Sequence, residues 1–349
     1  MKTLIDELIK EPQDSKIKYT PQDFKPDVDV RWCAGCGGFS VLSPTQRMMP
    51  DLGVPKEKIA FVSGIGCSGR FPYYMDTYGF HSIHGRALVI ATGLKIARPD
   101  LSVWITTGDG DNMSIGGNHF IHTCRRNVDL NIMMFNNEIY SLTKGQASPT
   151  SQAGQKTKTT PLGAIDYPFN PIALALGSGA TFVARAHDKD RTQLQELLKR
   201  AAQHKGISFV EIYTNCRIFN EAAFEEFTNK ETRDDRTVFL EHGKPLIFGK
   251  EHDKGVIIDG FTPKVVSLTN GQYSENDLIV HDETDSTLAF ILANMTYNDK
   301  LPRPMGIFQA IKKPSYDQLV ERQIEYEIET KGEGDLNELL KGDNYWEIK

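Results

Sequence analysis

Two groups of residues stand out as able to do chemistry. The first is oxygen-rich: Gly108-Asp109-Gly110-Asp111, followed 28 positions after Asp109 by Asn137 within Asn136-Asn137-Glu138-Ile139-Tyr140. A carboxylate (Asp109), an amide oxygen (Asn137) and a backbone carbonyl (Ile139) are hard ligands suited to Mg²⁺, which completes its octahedron with phosphate oxygens and water. The glycines let the backbone approach a diphosphate, and a helix predicted to begin near Met113 would point its N-terminal amides there. The second group is sulfur-rich. Cys33 and Cys36 form a CxxC pair, and Cys67 and Cys216 each follow a predicted strand. Converging, they would make a Cys₄ site for zinc or a [4Fe–4S] cluster, while CxxC alone equally fits a redox dithiol or buried thiols. Structural zinc more often uses two CxxC pairs. Cys124 lies on a helical pattern with Phe120 and Ile121 and reads as a small buried hydrophobe.

The elements that position these residues follow from apolar patterning. Ile59 to Ser63, Ser102 to Thr107, Leu130 to Asn136, Ala180 to Ala184 and Ile207 to Tyr213 are near-continuous apolar runs. Helical patterns such as Ile115 to Arg125 and Thr192 to His204 separate them. That alternation predicts an α/β fold, a mostly parallel sheet with helices on both faces, with Asp109 and Asn137 at strand carboxyl ends. Residues 141 to 168, rich in Thr, Ser, Gly and Gln, read as a long functional loop. Residues 1–30 read as an N-terminal arm, 31–224 as the domain with both sites, and 225–349 as a small C-terminal α+β extension and tail. In that extension strands are expected at Val256 to Ile258, Val265 to Leu268 and Leu278 to Val280. Helices are expected over Ser286 to Met295 and Tyr316 to Thr330.

The chain has 349 residues, a formal charge of −6 and five cysteines. An acidic balance argues against nucleic acid, which rewards a basic face. An odd cysteine count fits poorly with a disulfide framework. With no long apolar run and no secretory leader pattern, the expectation is a cytoplasmic protein with no membrane contact.

In order along the chain, WCxGCG, GIGCS, HxxHGRA, GDGD, NNxIY, LTKGQxSPTS and the late cysteine closely resemble the β subunit of 2-oxoacid:ferredoxin oxidoreductases. The resemblance covers roughly residues 31 to 220 and is greatest to the 2-oxoglutarate type of the two-subunit enzymes. It implies thiamine diphosphate with Mg²⁺ at Asp109, Asn137 and Ile139, and one [4Fe–4S] cluster on Cys33, Cys36, Cys67 and Cys216. It also implies cofactor contacts from Ile65, Gly66, Cys67, Ser68, His84, Gly85, Gly110, Asp111, Ser141 and Leu142. The implied reaction is oxidative decarboxylation of a 2-oxoacid with coenzyme A, with ferredoxin taking the electrons. An α subunit is implied as partner, since the glutamate needed on the aminopyrimidine ring has no second domain here to come from. Ala34 replaces the family's usual Pro, and Ser141 its usual Gly.

A histidine side chain is suited to proton transfer near neutral pH, which makes His84 a candidate, although a histidine there can equally serve only to shape the turn. Arg70 is placed to pair bidentately with a substrate carboxylate. Lys144 is a weaker candidate for the same carboxylate, since lysines in polar loops are usually solvated, and His81 and His119 read as structural or surface residues. Two rival readings share the motifs in part. A non-redox thiamine enzyme explains the oxygen ligands, and an iron–sulfur carrier or sensor explains the cysteines. In the first the four cysteines bind zinc or nothing, the second leaves the Asp109/Asn137 pair and the long polar loop unexplained, and pyruvate or a branched-chain 2-oxoacid is an alternative substrate.

Overall fold

The computed structural model describes residues 18–346 and 348. Its eleven strands, in chain order, are β1 (Ile59–Ser63), β2 (Tyr78–His81), β3 (Ser102–Gly108), β4 (Asn131–Asn136), β5 (Phe182–His187), β6 (Ser208–Tyr213), β7 (Thr237–Leu240), β8 (Ile247–Phe248), β9 (Lys254–Asp259), β10 (Thr262–Ser267) and β11 (Arg303–Ala310). Eight of them form one sheet in the order β2-β1-β3-β4-β6-β5-β11-β7, and β10-β9-β8 form a small antiparallel sheet. The six strands from β2 to β5 in that order are parallel. β11 pairs antiparallel with β5, and β7 runs parallel to β11.

Both faces of β1, β3, β4, β5 and β6 are buried, which is why their sequences are mostly apolar rather than alternating. Val62, Val103, Ile105, Ile132, Met134 and Phe209 face one core, which the helices Ala87–Ala97, Gly117–Arg126, Pro171–Gly177 and Ser286–Asn294 cover. Phe61, Trp104, Met133, Phe135 and Val210 face the other, under Gly38–Met48 and Arg191–Gln203. Asn170 and Asp190 cap two of these helices, each accepting a hydrogen bond from the third residue on.

The structure departs from the sequence-based expectations in several places. The expected helix near Met113 is instead a short one, Asp109–Met113, which breaks at Ser114 before Gly117–Arg126 begins. The break lets Gly116 pass close to the Asp111 and Asn112 carbonyls, where a Cβ would collide. β5 starts two residues late, because Ala180 bonds back to Ala175 in the preceding turn. The segment Leu278 to Val280 forms no strand: Val280 makes an isolated bridge to Pro245, while the Ile279 amide donates to the Val256 carbonyl and the Ile279 carbonyl accepts the Leu246 amide. The boundary expected at 224 does not divide the sheet, because β7 and β11 lie beyond it and extend the main sheet. Of the expected arm, residues 1–17 lie outside the described residues. The rest packs down: Phe24 is fully buried, and its carbonyl accepts the Asp76 amide at 3.0 Å.

Candidate active site

The carboxyl ends of β1, β3, β4 and β6 share one rim. The turn after β3 carries two aspartates with different tasks. Asp109 is 3% exposed, and its Oδ2 accepts hydrogen bonds from Ser148 Oγ (2.6 Å) and Thr150 Oγ1 (2.7 Å). Burial pushes its carboxyl pKa up, and the two hydroxyls oppose that. Asp111, equally buried, ties three segments together. Its Oδ1 accepts the Ile65 amide (3.1 Å) and the Gly85 amide (2.7 Å) and lies 3.1 Å from His84 Nδ1, while Oδ2 accepts Thr107 Oγ1 (2.6 Å). Gly64 must be glycine, because a Cβ there would overlap the Asp111 carboxylate.

After β4 the chain turns sharply, with Glu138 at φ 53°. Asn137 Oδ1 accepts the Ile139 amide at 3.3 Å, and the Asn137 carbonyl accepts Asn220 Nδ2 at 2.9 Å. Glu138 points inward, accepts Gln152 Nε2 at 2.6 Å, and is pushed up to a pKa of about 8 by burial. Behind it, Asn136 Nδ2 donates to Glu211 (2.7 Å), which is ion-paired with Arg185 at 2.7 Å in the fully buried core. Tyr140 donates its hydroxyl to the Gly110 carbonyl at 3.1 Å, and its ring leaves no room for a side chain at position 110.

The thiols gather beside this rim. A tight turn, with Gly35 at φ 80° and the Cys36 amide on the Cys33 carbonyl (3.0 Å), presents the CxxC pair. Cys33 is exposed, Cys36 and Cys67 are half-buried and Cys216 is buried. Trp32 Nε1 donates to the Cys67 carbonyl at 2.7 Å, and Cys67 Sγ lies 3.2 Å from Ser141 Oγ. Burial raises the Cys36 thiol to about 11 and the Cys67 thiol as well, with neighbouring cysteines adding to the rise. Cys124 is fully buried away from this region.

One cavity of about 290 Å³ is lined by Cys33, Cys36, Cys67 and Cys216 together with Ile65, Gly66, Ser68, Arg70 and His84. Asp109, Gly110, Asp111, Asn137, Ile139, Ser141 and Leu142 complete the expected part of its wall. The one expected contact outside this lining is Gly85, which stands behind Asp111 as an amide donor. Among the described residues, no three His, Cys, Asp or Glu side chains are placed to hold a metal ion as they stand. The donor chemistry nevertheless fits both groups: oxygens from Asp109, Asn137 and Ile139 on one wall, and soft thiols on the next. Tyr140, Trp32, Phe135 and the segment Arg217 to Phe219 also line the cavity and have no role in the sequence reading. The Ser148 and Thr150 hydroxyls were visible only as letters within the SPTS string.

Residues 64–212 match the family "Thiamine pyrophosphate enzyme, C-terminal TPP binding domain". The 2-oxoglutarate oxidoreductase subunit KorB of Mycobacterium tuberculosis is 47% identical over 331 residues, 94% of this chain and 88% of the relative. The 2-oxoacid:ferredoxin oxidoreductase subunit beta of Saccharolobus solfataricus is 46% identical over 201 residues, 57% of this chain and 66% of the relative. Among solved structures, 2-oxoglutarate:ferredoxin oxidoreductase from Magnetococcus marinus, with 2-oxoglutarate, coenzyme A and succinyl-CoA bound, is 33% identical. It superposes with a TM-score of 0.74 over 92% of this chain and 95% of that one. A parallel sheet whose rim sets a thiamine-type oxygen set against four cysteines, with kinship along nearly its whole length, places this chain among the β subunits of the 2-oxoacid:ferredoxin oxidoreductases.

Proposed function

We propose that the chain, joined to an α subunit, oxidatively decarboxylates 2-oxoglutarate with coenzyme A, yielding succinyl-CoA, CO₂ and reduced ferredoxin. The observation that carries this reading is the single cavity in which Asp109, Asn137 and Ile139 meet Cys33, Cys36, Cys67 and Cys216. Its substrate assignment rests on the names of the Mycobacterium relative and the Magnetococcus structure.

Thiamine diphosphate and a [4Fe–4S] cluster, when bound, supply decarboxylation and one-electron transfer respectively. The protein's own part is orientation and charge control. Asp109, Asn137 and Ile139 hold Mg²⁺, and Ser148 and Thr150 fix the Asp109 carboxylate in place. The Asp111 carboxylate holds His84 Nδ1, which leaves Nε2 free to take or give a proton in the cavity. Arg70 is steadied by donating Nη1 to the Arg31 carbonyl at 2.9 Å, and its remaining N–H groups suit a substrate carboxylate. The α subunit supplies the glutamate for the aminopyrimidine ring. We place the enzyme in the cytoplasm; no described helix is long and apolar enough to cross a membrane. The stretch after 331, with Leu336, Leu339 and Leu340 exposed, serves partner contact, and deleting residues 332–349 should weaken assembly.

The test is anaerobic co-purification with the α partner, with EPR spectra recorded before and after adding 2-oxoglutarate and coenzyme A. A reduced-cluster or substrate-dependent radical signal that pyruvate does not elicit is the expected result. Thiamine diphosphate without iron would make this a non-redox thiamine enzyme and overturn the reading.

A further inference from the structure

We propose that Asp188 is a positioning residue that locks together the two loops carrying Cys36 and Cys216. The inference rests on the reading that these cysteines hold an iron–sulfur cluster. Asp188 follows β5 directly and is only 5% exposed, and its amide donates to the Tyr213 carbonyl at the end of β6 (2.9 Å). Its Oδ2 accepts the Asn215 amide at 2.8 Å, one residue before Cys216. The Asn215 carbonyl in turn accepts the Gly37 amide at 3.1 Å, one residue after Cys36.

The junction is closed by contact as well as by hydrogen bonds. A Cβ at Gly37 would overlap Asp188 Oδ2 and come within 2.8 Å of the Asn215 amide nitrogen. Gly37 is therefore needed for backbone approach, and the carboxylate fills the space beside it. Neither the diphosphate side of the cavity nor any proton transfer uses Asp188. A buried carboxylate bonded to the backbone between two thiol ligands fixes their separation. It also adds negative charge beside them, and such outer partners tune metal retention and potential.

The experiment compares the full αβ complex with D188N and D188A, all purified anaerobically. Iron and acid-labile sulfide per chain, iron loss to a chelator, and the cluster midpoint potential are measured, with thiamine diphosphate binding as a control for the fold. D188N can still accept the Asn215 amide. It should retain iron while its midpoint potential moves upward, because negative charge has been removed. D188A breaks the tie and should lose iron to the chelator about 10-fold faster, while its thiamine diphosphate affinity stays at the wild-type value. If D188A does not fold, the D188N potential decides: a wild-type potential overturns the inference. Wild-type iron retention and potential in both variants also overturn it. A wild-type complex that holds no iron overturns the cluster reading and this inference with it.

Discussion

Asp111 offers the sharpest test of how the rim is built, because one carboxylate receives donors from three segments. Replacing it with alanine strands the Gly85 amide and the Thr107 hydroxyl in buried surroundings and removes the partner of Ile65 and His84. An unsatisfied buried donor costs about 1–3 kcal/mol. With two such donors and two partly accessible ones, D111A should lose about 3–6 kcal/mol, a large share of a domain's ordinary stability of about 5–15 kcal/mol. D111N separates acceptor geometry from charge. Its amide oxygen can keep both backbone donors while its NH₂ faces Thr107, whose hydroxyl rotates to accept. Only charge assistance is lost, about 1–2 kcal/mol. Urea unfolding followed by tryptophan fluorescence gives both numbers, since Trp104 is fully buried in the neighbouring strand. If D111N were as damaged as D111A, or D111A lay within about 0.5 kcal/mol of wild type, the account of Asp111 as an acceptor hub would be refuted.

Three further perturbations probe other parts of the molecule. G110A places a methyl group into the Tyr140 ring; overpacking of about 1–3 kcal/mol should appear as roughly 10- to 100-fold weaker Mg²⁺–thiamine diphosphate binding by calorimetry. R185M removes the ion-pair partner of Glu211 in the core and should cost about 3–5 kcal/mol, whereas R185M/E211Q should recover at least half of that in urea titrations. His187 is 5% exposed, and burial lowers its pKa from 6.5 to about 4. Its stabilising contribution is therefore complete above pH 6.5 and fades as pH falls toward 4, by an amount on the order of 3 kcal/mol. H187N keeps an acceptor for the Asp190 amide and should flatten the stability–pH curve in that window; an unchanged slope would contradict the assignment.

How legible each part was depends on how local its cause is. β1, β3, β4 and β6 stood out because both faces are buried, so the residues inside each strand are apolar with few exceptions. β2 is exposed at all four positions, and β11 opens Arg303-Pro304 and contains Gly306 at φ 105°, so neither carries a strand pattern. β2 is held by parallel pairing with β1 just before it, and β11 by pairing with β5 far away in sequence. The placement of Asp109 and Asn137 was readable from a strand followed by glycine or asparagine. The Ser148 and Thr150 bonds to Asp109 were not, since they depend on the path of a loop without periodicity. The Arg185–Glu211 pair did leave a signal: each is a lone charge in the middle of an apolar run, and the two stand opposite one another in register.

The closeness of the two chemical groups follows from the same register. β4 and β6 are paired through Asn136 and Tyr213, so the loops leaving them begin side by side, about 4.8 Å apart. The Thr214 amide bonds to the Asn136 carbonyl at 2.8 Å, and four residues beyond Cys216, Asn220 bonds to the Asn137 carbonyl at 2.9 Å. Across the rim, Ser141 reaches the Cys67 thiol at 3.2 Å. The oxygen-bearing turn is thus held between two cysteine loops by direct bonds to its backbone and hydroxyl. The spacing between them is therefore set by the sheet ladder rather than by a flexible connection. A slip of one residue between β4 and β6 would put Asn136 and Glu211 on opposite faces of the sheet and separate both loops. The buried Asn136–Glu211 hydrogen bond opposes that slip, because breaking it leaves polar groups of the core without their partner, while Arg185 holds Glu211 from the β5 side.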